Sequence, residues 1–284
     1  RCARAPDGLS CGAPPRPHLR SSPHQKRRPR YQQAALALAL LGSACRMPAL
    51  EQEPFRFLEP GSVGFVYKQP LANKHDLTGD FDVGPVPDPL GGPPNFFFVQ
   101  EDGEVLGKYE LSFGARGTVA QDTTLEVGLG YRLYEIEGLQ PAPDPAILFR
   151  IETVDSLQFY LALRRYFESP IDLGPRWRLF AELGLFLVPG VTVDSQLEFL
   201  TTVKPISSNG EAYRFLGLTG GAAYQLTDAL VLEGGLTWEE PLEELAVDLS
   251  TSVDFGGGQV IDVPIDARLE PRGAVGFLSL TWYP

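Results

Sequence analysis

Residues 124–134 read Thr-Leu-Glu-Val-Gly-Leu-Gly-Tyr-Arg-Leu-Tyr, and this stretch decides the fold. Side chains alternate between the two faces of an extended chain. Leu125, Val127, Leu129, Tyr131 and Leu133 therefore share one face, and Glu126, Gly128, Gly130, Arg132 and Tyr134 share the other. One face is greasy throughout; the other mixes charge with glycine. A half-buried strand of a soluble protein would show the same alternation, so the decision rests on whether the pattern recurs and how its copies are connected.

It occurs eight times in all, at 61–68, 108–119, 124–134, 156–167, 177–188, 213–226, 230–239 and 274–283. Of the seven connections the second, fourth and sixth are short, at Gln121-Asp122, across 168–175 and at Thr227-Asp228. The connections between them are long: about 39 residues after the first strand, then 18 to 21, over 20 and over 30. An antiparallel barrel with both ends on one side of a membrane needs an even strand number, short periplasmic turns and long outer loops. Twelve tilted residues span roughly 28 Å, enough to cross an apolar band of ~25 Å. Aromatics mark the strand ends, with Phe167, Trp177, Tyr224 and Trp282 on the turn side and Tyr109, Tyr134, Phe159 and Trp238 on the loop side. Two such belts suit the two membrane interfaces.

The expectation is an all-β, eight-stranded antiparallel up-and-down transmembrane β-barrel over 61–284. Its mixed face carries Lys108, Glu110, Arg116, Glu126, Arg132, Arg164, Arg178, Glu182 and Glu233. An Arg in lipid near the midplane costs ~2–4 kcal/mol, so this face is placed inward as a charged network in the lumen. Its signs nearly balance, and mutual pairing can satisfy them. The rival is a soluble barrel with a dry interior. Loop alternation and the aromatic belts favour the membrane. Eight strands leave an interior just wide enough for side chains, which disfavours a wide pore.

Composition sets further bounds. The chain has 284 residues and a net charge of −12, but residues 1–44 carry eight Lys/Arg against one Asp, and the rest 16 against 35. A body this acidic is unsuited to nucleic acid. After residue 50 no apolar run approaches the ~18–20 residues of a spanning helix. Cys2, Cys11 and Cys45 are the only cysteines, so the body holds no disulfide framework, thiol nucleophile or Cys-based metal site.

Residues 1–25 read as an unstructured or spurious extension. Residues 26–44 have the basic, apolar and small-residue order of an export signal, and 45–60 form a periplasmic linker. Cys45 directly follows the small residues Gly42-Ser43-Ala44. Lipidation at Cys45 and plain cleavage after Ala44 both fit this order.

With strands and ends in place, the chain resembles the small eight-stranded outer-membrane barrels, the OmpA/OmpX/OmpW-type group, over 61–284. The family closes on a strand ending in Phe or Trp that the assembly machinery recognises; here Leu280-Thr281-Trp282-Tyr283 is followed by Pro284. The resemblance implies residence in the bacterial outer membrane, with outer-membrane lipids and the barrel-assembly machinery as partners. Its members serve as structural links, adhesins, narrow channels and occasional lipid-modifying enzymes.

The functional expectation is a non-catalytic barrel with a structural or surface-interaction role and no cofactor or metal. The alternative is a narrow channel or transporter for small or hydrophobic solutes, and the third reading is a lipid-modifying enzyme. Phe96, Phe97 and Phe98 suit an upward extension of the second strand and a mouth or surface contact for a hydrophobic solute or cell-surface partner. His75, the only histidine after residue 24, falls in the first long loop beside Asp76, Asp80, Asp82 and Asp88. There it reads as solvated, and the acids lack the ordered ligand spacing of a calcium loop. Residues 247–263 alternate as a hairpin projecting past the membrane.

Overall fold

The computed structural model describes residues 58–86, 95–140, 147–168, 174, 176–199, 202–254 and 260–284. All of them belong to one unit, residues 48–284. The extension, the export signal, Cys45 and Asp88 lie outside the described residues.

The described chain is almost entirely strand. In order these are β1 (Val63–Val86), β2 (Asn95–Ala120), β3 (Thr123–Glu137), β4 (Ile147–Phe167), β5 (Trp177–Val188), β6 (Val191–Phe199), β7 (Thr202–Gly210), β8 (Tyr213–Thr227), β9 (Leu230–Pro241), β10 (Leu245–Asp248), β11 (Thr251–Asp254), β12 (Val260–Val263) and β13 (Ile265–Trp282). Eight of them close a ring, β1-β2-β3-β4-β5-β8-β9-β13, with β13 returning to β1 through pairs such as Phe65↔Trp282. Every pairing in the ring is antiparallel. The short connections gather at one end. Two of them are only two residues long, Gln121-Asp122 and Asp228-Ala229; Asp122 has φ 58°, a left-handed conformation that Asp tolerates.

Above this ring stands a second tier that the sequence did not announce. β1 runs for 24 residues and β2 for 26, far past the stretch expected to cross the membrane. The upper halves of β1, β2, β4 and β13 are joined by β6, β7 and β10, which take over the places of β5, β8 and β9. The β7–β10 seam is the pair Val247↔Gly210. β11 and β12 form a separate hairpin from Thr251↔Val263 to Asp254↔Val260. The long outer loops are thus largely strand.

The two tiers meet at a line of irregularities. The register slips between Pro70 and Ala72 on β1, between Gly107 and Tyr109 on β2, and between Ile151 and Thr153 on β4. A bulge inserts one residue and re-aims those beyond it. Val66 faces inward below the β1 slip, and His75, Leu77 and Phe81 face inward above it. Arg116 and Glu110 face inward on β2 below its slip, and Val105 above.

Polarity inverts at the same line. Below, the outer face is apolar and uncovered: Phe65 and Phe113 are 56% exposed and Leu236 is 66% exposed. Above, the outer face is charged, with Asp76, Glu104, Glu137, Asp194, Glu198 and Arg268 all exposed. The upper interior is a dry cluster that includes Phe81, Phe149, Ile151, Val193, Leu197 and Leu269. Only a solvent change from lipid to water makes both patterns favourable along one continuous wall.

Candidate functional site

The lumen of the lower ring is filled by side chains from alternate positions on every wall. Glycines make room for them. A Cβ at Gly128 would collide with the Tyr160 ring, so β3 must stay bare where Tyr160 crosses from β4.

Arg116, on β2, is wholly buried. Its Nε and Nη2 donate to Glu126 Oε2 at 2.9 and 2.6 Å, and its Nη1 donates to Glu233 Oε1 at 2.7 Å. Arg164, on β4, donates from Nε to Glu182 Oε2 at 2.7 Å and lies 2.6 Å from Glu233 Oε1. Its guanidinium rests over the Phe180 ring, 4.1 Å from the centroid. Tyr160 donates to Glu126 and Tyr166 to Glu233, at 2.9 and 2.7 Å, and Ser279 supplies a further donor to Glu233 at 2.9 Å. Lys68 Nζ stands 3.6 Å from Glu182 and over Phe277. Three cations thus face three carboxylates across the axis, which is the condition under which buried charge is tolerated.

A second network sits directly beneath the dry core. Arg132 donates from Nε to Glu110 Oε1 at 2.9 Å, from Nη2 to Glu239 Oε1 at 2.6 Å, and from Nη1 to Glu239 Oε2 and the Tyr134 hydroxyl at 2.7 and 2.9 Å. Asn73 Nδ2 donates to Glu110 Oε2 at 3.0 Å. His75 Nε2 lies 3.0 Å from Glu239 Oε2, and its ring meets Tyr134 edge-on.

Of the nine lumen residues expected from sequence, seven stand in these two networks. Arg178 is buried but sits apart, donating to the Trp177 carbonyl near the turn end. The Lys108 side chain lies outside the described residues. His75 corrects the sequence reading: it is not a solvated loop residue but a 2% exposed side chain on β1, turned inward by the bulge below it. Asp76, Asp80 and Asp82 are likewise on β1, paired across to β2. Tyr134 does not join the outer aromatic belt; it faces the lumen. Phe96, Phe97 and Phe98 do extend β2 upward. Phe97 turns in against the dry core, and Phe96 and Phe98 turn out.

Sequence reasoning missed Lys68, Asn73, His75 and Glu239. Glu239 had a readable signal, since it shares its face with Glu233. Lys68, similarly, falls in phase with the inward Val66. Among the described residues no group of His, Cys, Asp and Glu is arranged to hold a metal ion.

On the upper tier, charges meet water. The Lys74 amine is raised above its usual range by the hydrogen bond to Glu104. Burial raises the Glu101 carboxyl, although the backbone N–H of Gln140 pulls the other way. An outer depression of about 610 Å³ crosses β13, β1, β2 and β3, lined by Asp76, Asp102, Glu104, Glu137, Glu270 and Arg272 among others.

A closed antiparallel ring, an uncovered apolar belt and a charged lumen together leave one setting. This is an outer-membrane β-barrel. No family model and no curated protein matches the chain in sequence. Solved structures similar to it include the outer membrane protein OprG from Pseudomonas aeruginosa, at 11% identity over 80% of this chain and 99% of that one, TM-score 0.42. Neisserial surface protein A matches at 11% identity over 77% and 97%, TM-score 0.30. The outer membrane protease OmpT from Escherichia coli matches at 9% identity over 82% and 99%, TM-score 0.36. The differing roles of these proteins assign none to this chain, and its setting rests on its own register and belt.

Proposed function

We propose that this protein is a non-catalytic barrel whose filled lumen braces a water-exposed tier for contact with partners at the cell surface. The observation that carries the reading is the Arg116–Glu126–Glu233–Arg164–Glu182 network, which crosses the axis with direct ion pairs and is capped from above by the dry core. A solute would have to break charge-assisted hydrogen bonds in a low-dielectric interior. Two further observations support it. The opening of about 440 Å³ between the end of β3 and β4 is lined by Glu135, Glu137, Arg150 and Glu152 along with Ile136 and Leu139, a poor surface for an apolar solute. His75 faces the axis against Glu239, away from the lipid acyl chains outside the wall.

Single-channel recording in planar bilayers tests the proposal. The reading expects no discrete conductance steps; steady steps of uniform size would overturn it in favour of the narrow-channel alternative. Lipid acyl transfer that vanished in His75→Ala would instead favour the enzyme.

A further inference from the structure

The wall of the upper tier is interrupted beside β2. Pairing between β2 and β3 stops at Glu104↔Glu137, yet β2 continues upward to Asn95. On its other side β2 stays bonded to β1, through Asp80↔Gln100, Phe81↔Val99, Asp82↔Phe98 and Val83↔Phe97. The chain leaving β3 covers the lowest part of the gap: Leu139 lies against Gly103, and the Gln140 N–H reaches Glu101. From Phe96 to Gln100 no described strand meets the free edge of β2.

Such an edge is normally guarded. Unpaired backbone groups recruit other strands, and proteins blunt them with lysine, proline, inward charge or a covering loop. Here Phe96-Phe97-Phe98-Val99-Gln100 contains no proline and no charge. Phe97 and Val99 hold the strand flat on the dry core. Phe96 and Phe98 are 73% and 65% exposed on the water side, a costly arrangement for two neighbouring rings. The edge presents main-chain groups with apolar side chains on both faces.

We infer that the Phe96–Gln100 edge of β2 is a docking site for an extended segment of another protein, added as an antiparallel strand. Charge selects the segment's chemistry. Asp82 stands opposite Phe98, and Asp102 and Glu104 follow on the same outer face, all exposed. An antiparallel guest begins beside these acids and ends beside Phe96. It therefore carries one or two basic residues first and an alternating β-branched run after them. Backbone bonding gives the affinity and the side chains give the selectivity. A second copy of this chain fits poorly. Two upright copies in one membrane have β2 running in the same direction, which allows only the less stable parallel pairing and brings two acidic faces together.

The inference rests on the surface-contact reading above, but its test is independent. The full-length protein in lipid nanodiscs is titrated into fluorescein-labelled, acetylated Lys-Arg-Val-Thr-Val-Thr-Val, read by anisotropy. A saturable rise is expected. It weakens tenfold or more when the two basic residues are moved to the end, and tenfold or more in the Phe96→Ser/Phe98→Ser protein, whose integrity is checked by heat-modifiable gel mobility. Peptides N-methylated at every second residue, in the two alternate phases, separate backbone pairing from mere stickiness: one phase binds and the other does not. Absence of a saturable rise overturns the inference, as does equal binding by both methylated phases. Concentration-dependent dimerisation abolished by Phe98→Ser also overturns it, by giving the edge to a second copy. Conductance steps would sink the closed-barrel reading while leaving the peptide result standing.

Discussion

The lower ring and the upper tier are built from the same strands with opposite rules. Below the bulges Phe65, Phe113 and Leu236 face outward, and Arg116, Glu126 and Glu233 fill the axis. Above them Asp76, Glu137 and Arg268 face outward, and Phe81, Ile151 and Leu269 fill it. β1, β2, β4 and β13 pass through both regimes without leaving the sheet. Backbone pairing is therefore indifferent to which face is greasy, and the surrounding solvent decides it. Three register slips near the junction let the wall change the phase of its side chains where the solvent changes.

The strongest way to break this contrast is to remove charge from the lower axis. Arg116→Met leaves Glu126 and Glu233 short of a buried partner, and loss of one member of a buried pair costs ~3–5 kcal/mol. Urea unfolding followed by tryptophan fluorescence should show the shift; an unchanged midpoint would mean the lumen is wetter than its contacts imply. The matching change above is Ile151→Ala, a cavity in a dry core worth ~2–5 kcal/mol. Hydrogen exchange should then rise in β4, β6 and the upper part of β13 while the lower ring stays protected. Equal loss of protection in both tiers would show that they melt as one unit.

The outer faces give a paired test. Leu161→Arg puts a cation into lipid at a cost of ~2–4 kcal/mol, and Ser207→Arg on the exposed face of β7 should stay within ~0.5 kcal/mol. Refolding yield into liposomes reads both, and comparable penalties would erase the proposed boundary. The smallest effect concerns Glu101, whose carboxyl is raised by burial. Its folded value lies above its unfolded one, so ionisation at neutral pH costs stability. The upper tier should firm as pH falls through the raised value, with the gain complete below the ordinary carboxylate range. Glu101→Gln should flatten that slope in exchange-protection measurements between pH 4 and 7.

The lower ring was legible because alternation on β3 and β5 runs unbroken, and because the short turns fix its topology. The upper tier hid for two reasons. Counting by twos upward from Lys68 puts His75 on the outside, and only the slip near Leu71 brings it in. The greasy face also changes sides, so a search for lipid-facing strands stops at the junction and calls the remainder loop. The Arg132–Glu239 contact spans 107 positions, and such a pair becomes visible only when the ring closes.

One measurement addresses the inversion directly. All three cysteines lie at or before residue 45, so with these replaced, single cysteines can carry spin labels at Leu129, Leu161 and Leu236 below and at Thr78, Glu137 and Ser207 above. In bilayers the lower three should relax with dissolved oxygen and ignore a water-soluble nickel chelate, and the upper three should do the reverse. Nickel access at all six sites would mean that the greasy belt never meets lipid.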